Sequence, residues 1–87
     1  MSATISTDWR AALARFDEDL VRRGAAEKTR LAYGADLRQF AVWASWQDVE
    51  AVGVSHRLLR RYAAALSERK SAPATVARKL AALRAFY

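Results

Sequence analysis

The chain has 87 residues, of which 53 % are hydrophobic and 28 % charged, and its formal net charge is +6. This length suits one domain, and the composition is typical of a globular chain, not a disordered one. The sequence has no cysteine and one histidine, which excludes disulfides and leaves too few ligands for a zinc site. Because it also lacks a long apolar run and the layout of a signal peptide, we expect a cytoplasmic protein without a metal or cofactor.

The charge is distributed unevenly along the chain. Residues 1–27 carry four arginines and five acids, for a net charge of −1, whereas residues 28–87 carry eleven lysines and arginines and four acids, for +7. This bias favours a polyanionic partner, because neutralising phosphates releases counterions. The same bias is typical of arginine-rich, solvated helix faces encoded by a GC-rich sequence. The charge alone leaves both interpretations open.

Two helices are predicted in the first half. The first spans residues 8–23, with Thr7 as its N-cap and Gly24 after its end, which leaves residues 1–7 as a flexible N-terminus before a domain at 8–87. The second spans residues 27–44, where Gly34 costs about 1 kcal/mol relative to alanine and indicates a close neighbour. Spacings of three and four residues predict the buried faces: Trp9, Leu13, Phe16 and Leu20, then Tyr33, Leu37, Phe40 and Ala44.

The second half predicts a connector and two further helices. Residues 46–54 suit a connector with one 3₁₀ turn and three valines, at 49, 52 and 54, as apolar anchors. A third helix follows the N-cap Ser55 and ends near residue 68, and Pro73 fits the first turn of a fourth. The predicted buried residues are Leu58 or Leu59, Tyr62 and Leu66, then Val76, Leu80, Leu83 and Tyr87. The expected fold is all-α, a compact four-helix bundle of two helical hairpins joined by a short connector.

Little in the sequence predicts catalysis. The acids Asp17, Glu18 and Asp19 are consecutive in a helix, so their side chains point in different directions. His56 falls in an exposed first turn, and the sequence contains neither a phosphate-cradling glycine loop nor a nucleophile motif. We therefore expect that this chain is not itself an enzyme.

The fourth helix offers a candidate binding surface. Opposite its apolar stripe lie small residues around one arginine, namely Ala74, Arg78, Ala81 and Ala85, flanked by Thr75 and Ala82. Such a face suits close entry into a DNA major groove, where the arginine reads guanine or binds phosphate. An alanine-rich solvent face selected for helix propensity has the same pattern. The second helix has a comparable outward arc at Lys28, Leu31, Ala35, Arg38 and Val42.

Three groups of residues, at fixed joint spacing, carry a family resemblance. They are Thr29, Tyr33, Asp36, Leu37 and Phe40; Leu59, Tyr62 and Leu66; and the C-terminal string PATVARKLAALRAFY. Together they resemble the N-terminal core-binding domain of tyrosine recombinases, in particular the Xer and phage-integrase branch. The resemblance covers residues 9–87, and the abrupt end of the chain on this helix suggests a piece of a longer protein.

The resemblance implies a SAM-like four-helix bundle that acts as the DNA-binding arm of a tyrosine site-specific recombinase or integrase. Such an arm grips one face of a recombination half-site with its second and fourth helices in the major groove, and its partners are double-stranded DNA and, in the parent protein, other protomers. The implied contacts are Lys28, Thr29, Arg38, Ala74, Thr75, Arg78 and Lys79. The isolated domain is expected to be a monomer. Strand-exchange residues would lie in a following domain, so Tyr87 is not the nucleophile.

Some residues depart from the family pattern. Ala26 stands where the second helix usually has a serine N-cap, and Gly34 replaces a residue that is often basic. A SAM-like protein–protein interaction module is the main alternative, although the charge of +7 over residues 28–87 argues against it. A helix-turn-helix regulator fits the nine-residue connector poorly.

Overall fold

The computed structural model describes residues 5–87, which form four α-helices and one 3₁₀ turn. The helices are α1 (Thr7–Arg22), α2 (Glu27–Trp46), α3 (His56–Glu68) and α4 (Pro73–Phe86), and the turn, Ala51–Gly53, lies between α2 and α3. The part of the chain that is described contains no strand, which confirms the all-α prediction and the connector with its 3₁₀ turn. α2 packs against both α1 and α4, and α3 packs against α4.

The start of α1 differs by one residue from the prediction. Ser6, not Thr7, is the N-cap, because the Ser6 hydroxyl accepts a 3.2 Å hydrogen bond from the Trp9 amide. Ile5, which precedes it, is buried in the core, while residues 1–4 of the expected flexible N-terminus lie outside the described residues. Gly24 has φ +77° just after the helix, the left-handed conformation predicted for a glycine in this position.

The core is built around aromatic side chains from α1, α2 and α4. Trp9 and Phe40 are completely buried, and their rings meet edge to face with centroids 5.9 Å apart. The Phe86 ring stacks on Trp9 with centroids 6.5 Å apart, so one cluster joins the three helices. The predicted buried residues Phe16, Leu20, Leu37, Ala44, Leu58, Tyr62 and Leu66 also lie in the core.

Two local predictions in the middle of the chain are wrong. Val52 is 99 % exposed and its neighbour Ala51 is buried instead, because the 3₁₀ turn directs the small alanine inward. A Cβ added at Gly34 would meet nothing within 4 Å, so no close neighbour requires this glycine. Gly34 instead borders an open groove between α1 and α2.

The buried face of α4 is rotated from the predicted stripe. Lys79, Ala82 and Leu83 are buried, whereas Val76 and Leu80 are half-buried and Tyr87 is exposed. The physical reason is the contact with α2. There the Asp36 carboxylate forms an ion pair with the Lys79 ammonium, and this pair favours the orientation in which this side of α4 faces inward. Ala82, which was expected beside the exposed arc, is consequently part of the core.

Within residues 5–87, no helix combines the length and apolar character required to cross a membrane.

Candidate nucleic-acid interface

Asp36 is a carboxylate on the buried face of α2, and its side chain is 3 % exposed. It accepts two hydrogen bonds from the Arg78 guanidinium, from Nε at 2.9 Å and from Nη2 at 3.0 Å. The Lys79 ammonium donates a third bond, at 3.1 Å. A buried carboxylate is costly unless it is paired and hydrogen-bonded, and two consecutive residues of α4 meet that requirement here.

Lys79 lies inside the interface between α2 and α4, with its side chain 9 % exposed. Besides Asp36, it donates a hydrogen bond to the Gln39 side-chain oxygen. This placement corrects the expectation that Lys79 faces outward. Its ammonium is therefore engaged by Asp36 and Gln39 inside the domain.

Arg78 lies at the edge of the same contact, and its side chain is 52 % exposed. Hydrogen bonds to Asp36 raise the pKa of Arg78, so the guanidinium is firmly held in its charged form. A guanidinium has five N–H donors, of which Asp36 engages one on Nε and one on Nη2. The two N–H groups of Nη1 and the remaining N–H of Nη2 are not engaged by Asp36. Arg78 therefore sits at the border of the exposed face, not at its centre as expected.

Four other candidate residues lie in the first turns of α2 and α4. Lys28, Thr29 and Ala74 are exposed, and Thr75 is half-buried. The N-caps, Ala26 and Ala72, carry no side-chain acceptor, so the first-turn N–H groups of both helices lack a side-chain cap. Uncapped helix N-termini favour anions through their N–H groups and the helix dipole.

Arg38 lies on a different side of α2 from Arg78. At 100° per residue, its side chain is about 160° around the helix from Asp36, which receives Arg78. Arg38 instead borders the groove between α1 and α2, which has a volume of about 670 Å³. Arg10 and Arg30 line the same groove. The structure therefore does not bring Arg38 beside Arg78.

Arg30 has a structural role in that groove. Its guanidinium donates two hydrogen bonds to the Asp17 carboxylate, at 3.0 and 2.7 Å, and so ties α2 to α1. These bonds lower the pKa of Asp17 and raise that of Arg30. The pair adds a polar contact between the first two helices.

The cluster of Asp36, Arg78 and Lys79 was not predicted from the sequence. A signal for it is present: at 100° per residue, Asp36 falls within about 60° of both Tyr33 and Phe40 on α2. A carboxylate on an apolar stripe requires a cationic partner, and the only question is which element supplies it. The rotation of α4 that brings Lys79 inward depends on tertiary packing.

No three His, Cys, Asp or Glu side chains in residues 5–87 come together as a metal site.

Comparison with known proteins agrees with this architecture. Residues 13–87 match the family model described as phage integrase, N-terminal SAM-like domain. Over 70 residues the chain is 44 % identical to a protein named tyrosine recombinase XerC from Pelobacter propionicus, covering 75 % of this chain and 22 % of that protein. The chain thus spans much less than half of that relative, and no solved structure matches. Domains of this kind form the N-terminal part of tyrosine recombinases, whose catalytic residues lie in the C-terminal domain. The chain belongs to the family of phage integrase N-terminal SAM-like domains.

Proposed function

We propose that this domain is the DNA-binding arm of a tyrosine site-specific recombinase or integrase. It grips one face of a recombination half-site, with α2 and α4 directed into the major groove. In the parent protein its further partners are other recombinase protomers, and the site of action is the cytoplasm. Catalysis of strand exchange belongs to another domain.

The single observation that carries the proposal is the placement of Arg78. This arginine of α4 is half exposed and is held by Asp36, and the domain belongs to a family of recombinase N-terminal domains. Its remaining N–H donors suit either a phosphate or the O6 and N7 atoms of guanine. The charge of +7 over residues 28–87 adds a general attraction to the DNA backbone.

The remaining contacts divide by chemistry. Lys28 is a cation for phosphate, and Thr29 and Thr75 supply hydroxyl groups near the uncapped starts of α2 and α4. Ala74 allows the backbone to approach closely. Arg38 contributes a phosphate contact from the far side of α2, and Lys79 supports Arg78 through Asp36. The proposed surface has few side chains that can read bases. Its DNA sequence specificity should therefore be modest, and phosphate contacts should supply a large part of its affinity.

The test is an NMR titration of the isotopically labelled domain with a short DNA duplex at low and at moderate salt. We expect shifts concentrated in residues 28–38 and 74–82 that weaken steeply as salt increases. If these residues do not respond while the domain stays folded, the proposed function is wrong.

Two arginine variants distinguish the effect of the position of Arg78 on DNA affinity from the effect of its charge alone. Arg78→Ala should weaken binding by about 1–3 kcal/mol and reduce the salt slope by about one. Arg22→Ala removes the same charge from the last turn of α1, where the side chain is exposed and pairs with Asp19 at 3.6 Å. It should have a much smaller effect. Equal effects of the two variants would indicate attraction by net charge alone.

A protein-interaction module is the second candidate, and one groove favours it. The groove lies between α3 and α4 and has a volume of about 490 Å³. It is lined by His56, Leu59, Arg60, Ala63, Leu80, Leu83, Arg84 and Tyr87. Shifts confined to this groove on addition of a recombinase partner, with no response to DNA, would support this second function.

A further inference from the structure

We propose that Asp36 is a positioning residue for DNA recognition: it holds the Arg78 guanidinium by its Nε–Nη2 edge so that the adjacent Nη1–Nη2 edge faces the DNA. The inference rests on the proposed DNA-binding function and specifies how one side chain carries it out. It assigns a role in recognition to a buried acid that does not itself touch DNA.

The geometry of the fork supports this role. An arginine can present two N–H groups in parallel either along its Nε–Nη2 edge or along its Nη1–Nη2 edge. Asp36 occupies the first edge with bonds of 2.9 and 3.0 Å. The second edge keeps a complete pair of donors, which is what bidentate contact with guanine or phosphate requires.

The anchoring of Asp36 makes it an effective support. Its carboxylate is buried and is fixed from a second direction by Lys79, whose ammonium is in turn bonded to Gln39. Arg78, in contrast, is half exposed and would sample many rotamers if it lacked this partner. Holding it in one orientation in the free domain reduces the entropy lost when DNA binds.

The proposal predicts that removing the negative charge of Asp36 changes DNA affinity in the direction opposite to that expected from simple electrostatics. Asp36→Asn removes one negative charge, so if the acid merely repelled phosphates, DNA affinity would rise. If Asp36 positions Arg78, affinity falls even though net charge becomes more positive. We expect a loss of about three- to tenfold, which corresponds to releasing one ordered side chain.

The experiment measures binding of a short fluorescent duplex of mixed sequence by anisotropy at fixed salt. It compares the wild-type domain, Asp36→Asn, Arg78→Ala and the double variant, each checked for folding by circular dichroism. Asp36→Asn should weaken binding in the wild-type background and should not weaken it further in the Arg78→Ala background. Unchanged or tighter binding by a folded Asp36→Asn variant, or an equal loss in both backgrounds, would overturn the inference.

A second variant keeps the test decisive if Asp36→Asn fails to fold. Arg78→Lys retains the charge on an exposed position but cannot engage Asp36 and DNA through two edges. Its affinity should fall to within about twofold of that of Arg78→Ala, whereas an affinity equal to that of the wild type would overturn the inference. A wild-type domain that ignores DNA overturns the proposed function and the inference together, and wild-type binding that is insensitive to these variants overturns the inference alone.

Discussion

The Trp9 indole donates a 3.0 Å hydrogen bond from Nε1 to the backbone carbonyl of Val49, forty residues later in the chain. This bond ties α1 to the connector that follows α2, while the indole ring itself is fully buried against Phe40 and Phe86. One side chain thus organises the aromatic core and fixes the path of the connector. Neither task would be met by a smaller or purely apolar residue.

Trp9→Phe should therefore destabilise the domain by about 2–4 kcal/mol. The substitution leaves a cavity among the aromatic rings and an unpaired carbonyl at Val49. Trp46→Phe is the matched control, since Trp46 is 66 % exposed and its replacement should change stability by less than about 0.5 kcal/mol. Urea unfolding followed by circular dichroism gives both values. Similar losses for the two variants would contradict the assigned role of Trp9.

The start of α1 provides a test between two neighbouring residues. The Ser6 hydroxyl caps the Trp9 amide and donates a 2.6 Å hydrogen bond to Glu50. Ser6→Ala should cost about 1 kcal/mol, the usual loss for an N-cap, whereas Thr7→Ala, at the exposed first helical residue, should cost less than about 0.5 kcal/mol. Thermal unfolding of the two variants decides between the caps. A larger loss for Thr7→Ala would restore the cap that the sequence pattern predicted.

The start of α2 offers the opposite test, a gain of stability. Ala26 is the N-cap and has the extended backbone, φ −65° and ψ 148°, that a capping residue requires. A serine there could accept a bond from a first-turn N–H, so Ala26→Ser should stabilise the domain by about 0.5–1 kcal/mol. Denaturant midpoints of the variant and the wild type measure the difference. A loss of stability would show that residue 26 is held in place by a contact other than the helix end.

The predictions from sequence succeeded where a local pattern decides the structure. The Ser55 cap, the Pro73 start, the Gly24 turn and the periodic core of α1 and α3 all follow from residue type and spacing. The orientation of α4 did not follow, because the spacing of apolar residues alone does not predict that a lysine lies on the buried side. Only the buried Asp36 on another helix makes an inward Lys79 favourable.

The candidate interface shows the same division. Exposure of Lys28, Arg38 and Ala74 could be predicted from helical geometry, whereas the wheel places the exposed Thr29 on the apolar side of α2. The pairing of Arg78 with Asp36 joins residues 42 positions apart, so it depends on how α2 and α4 pack. Residues that a helical wheel places on an outer arc can therefore be drawn into a network by a neighbouring helix.

Asp17 should make stability depend on pH. Its folded pKa is lowered by the hydrogen bonds from Arg30, so the stabilising contribution is present above the unfolded pKa of the carboxyl and is lost as pH falls through the folded pKa. The stability difference between wild type and Asp17→Asn should thus be largest at neutral pH and disappear in acid. Because the pair is exposed, salt should reduce it as well. Urea unfolding across this pH range measures the difference, and a constant difference would rule out the ion pair as its source.

The buried cluster of Asp36, Arg78 and Lys79 predicts that substitutions of Lys79 and of Asp36 destabilise the domain by unequal amounts. Lys79→Met leaves Asp36 paired with Arg78 and fills the space of the lysine stem, so it should cost about 1 kcal/mol or less. Asp36→Leu leaves a buried ammonium whose remaining partner is Gln39, and should cost about 3 kcal/mol or more. Chemical denaturation of both variants gives the comparison. If Lys79→Met were the more damaging change, Lys79 and not Arg78 would be the main partner of the buried carboxylate.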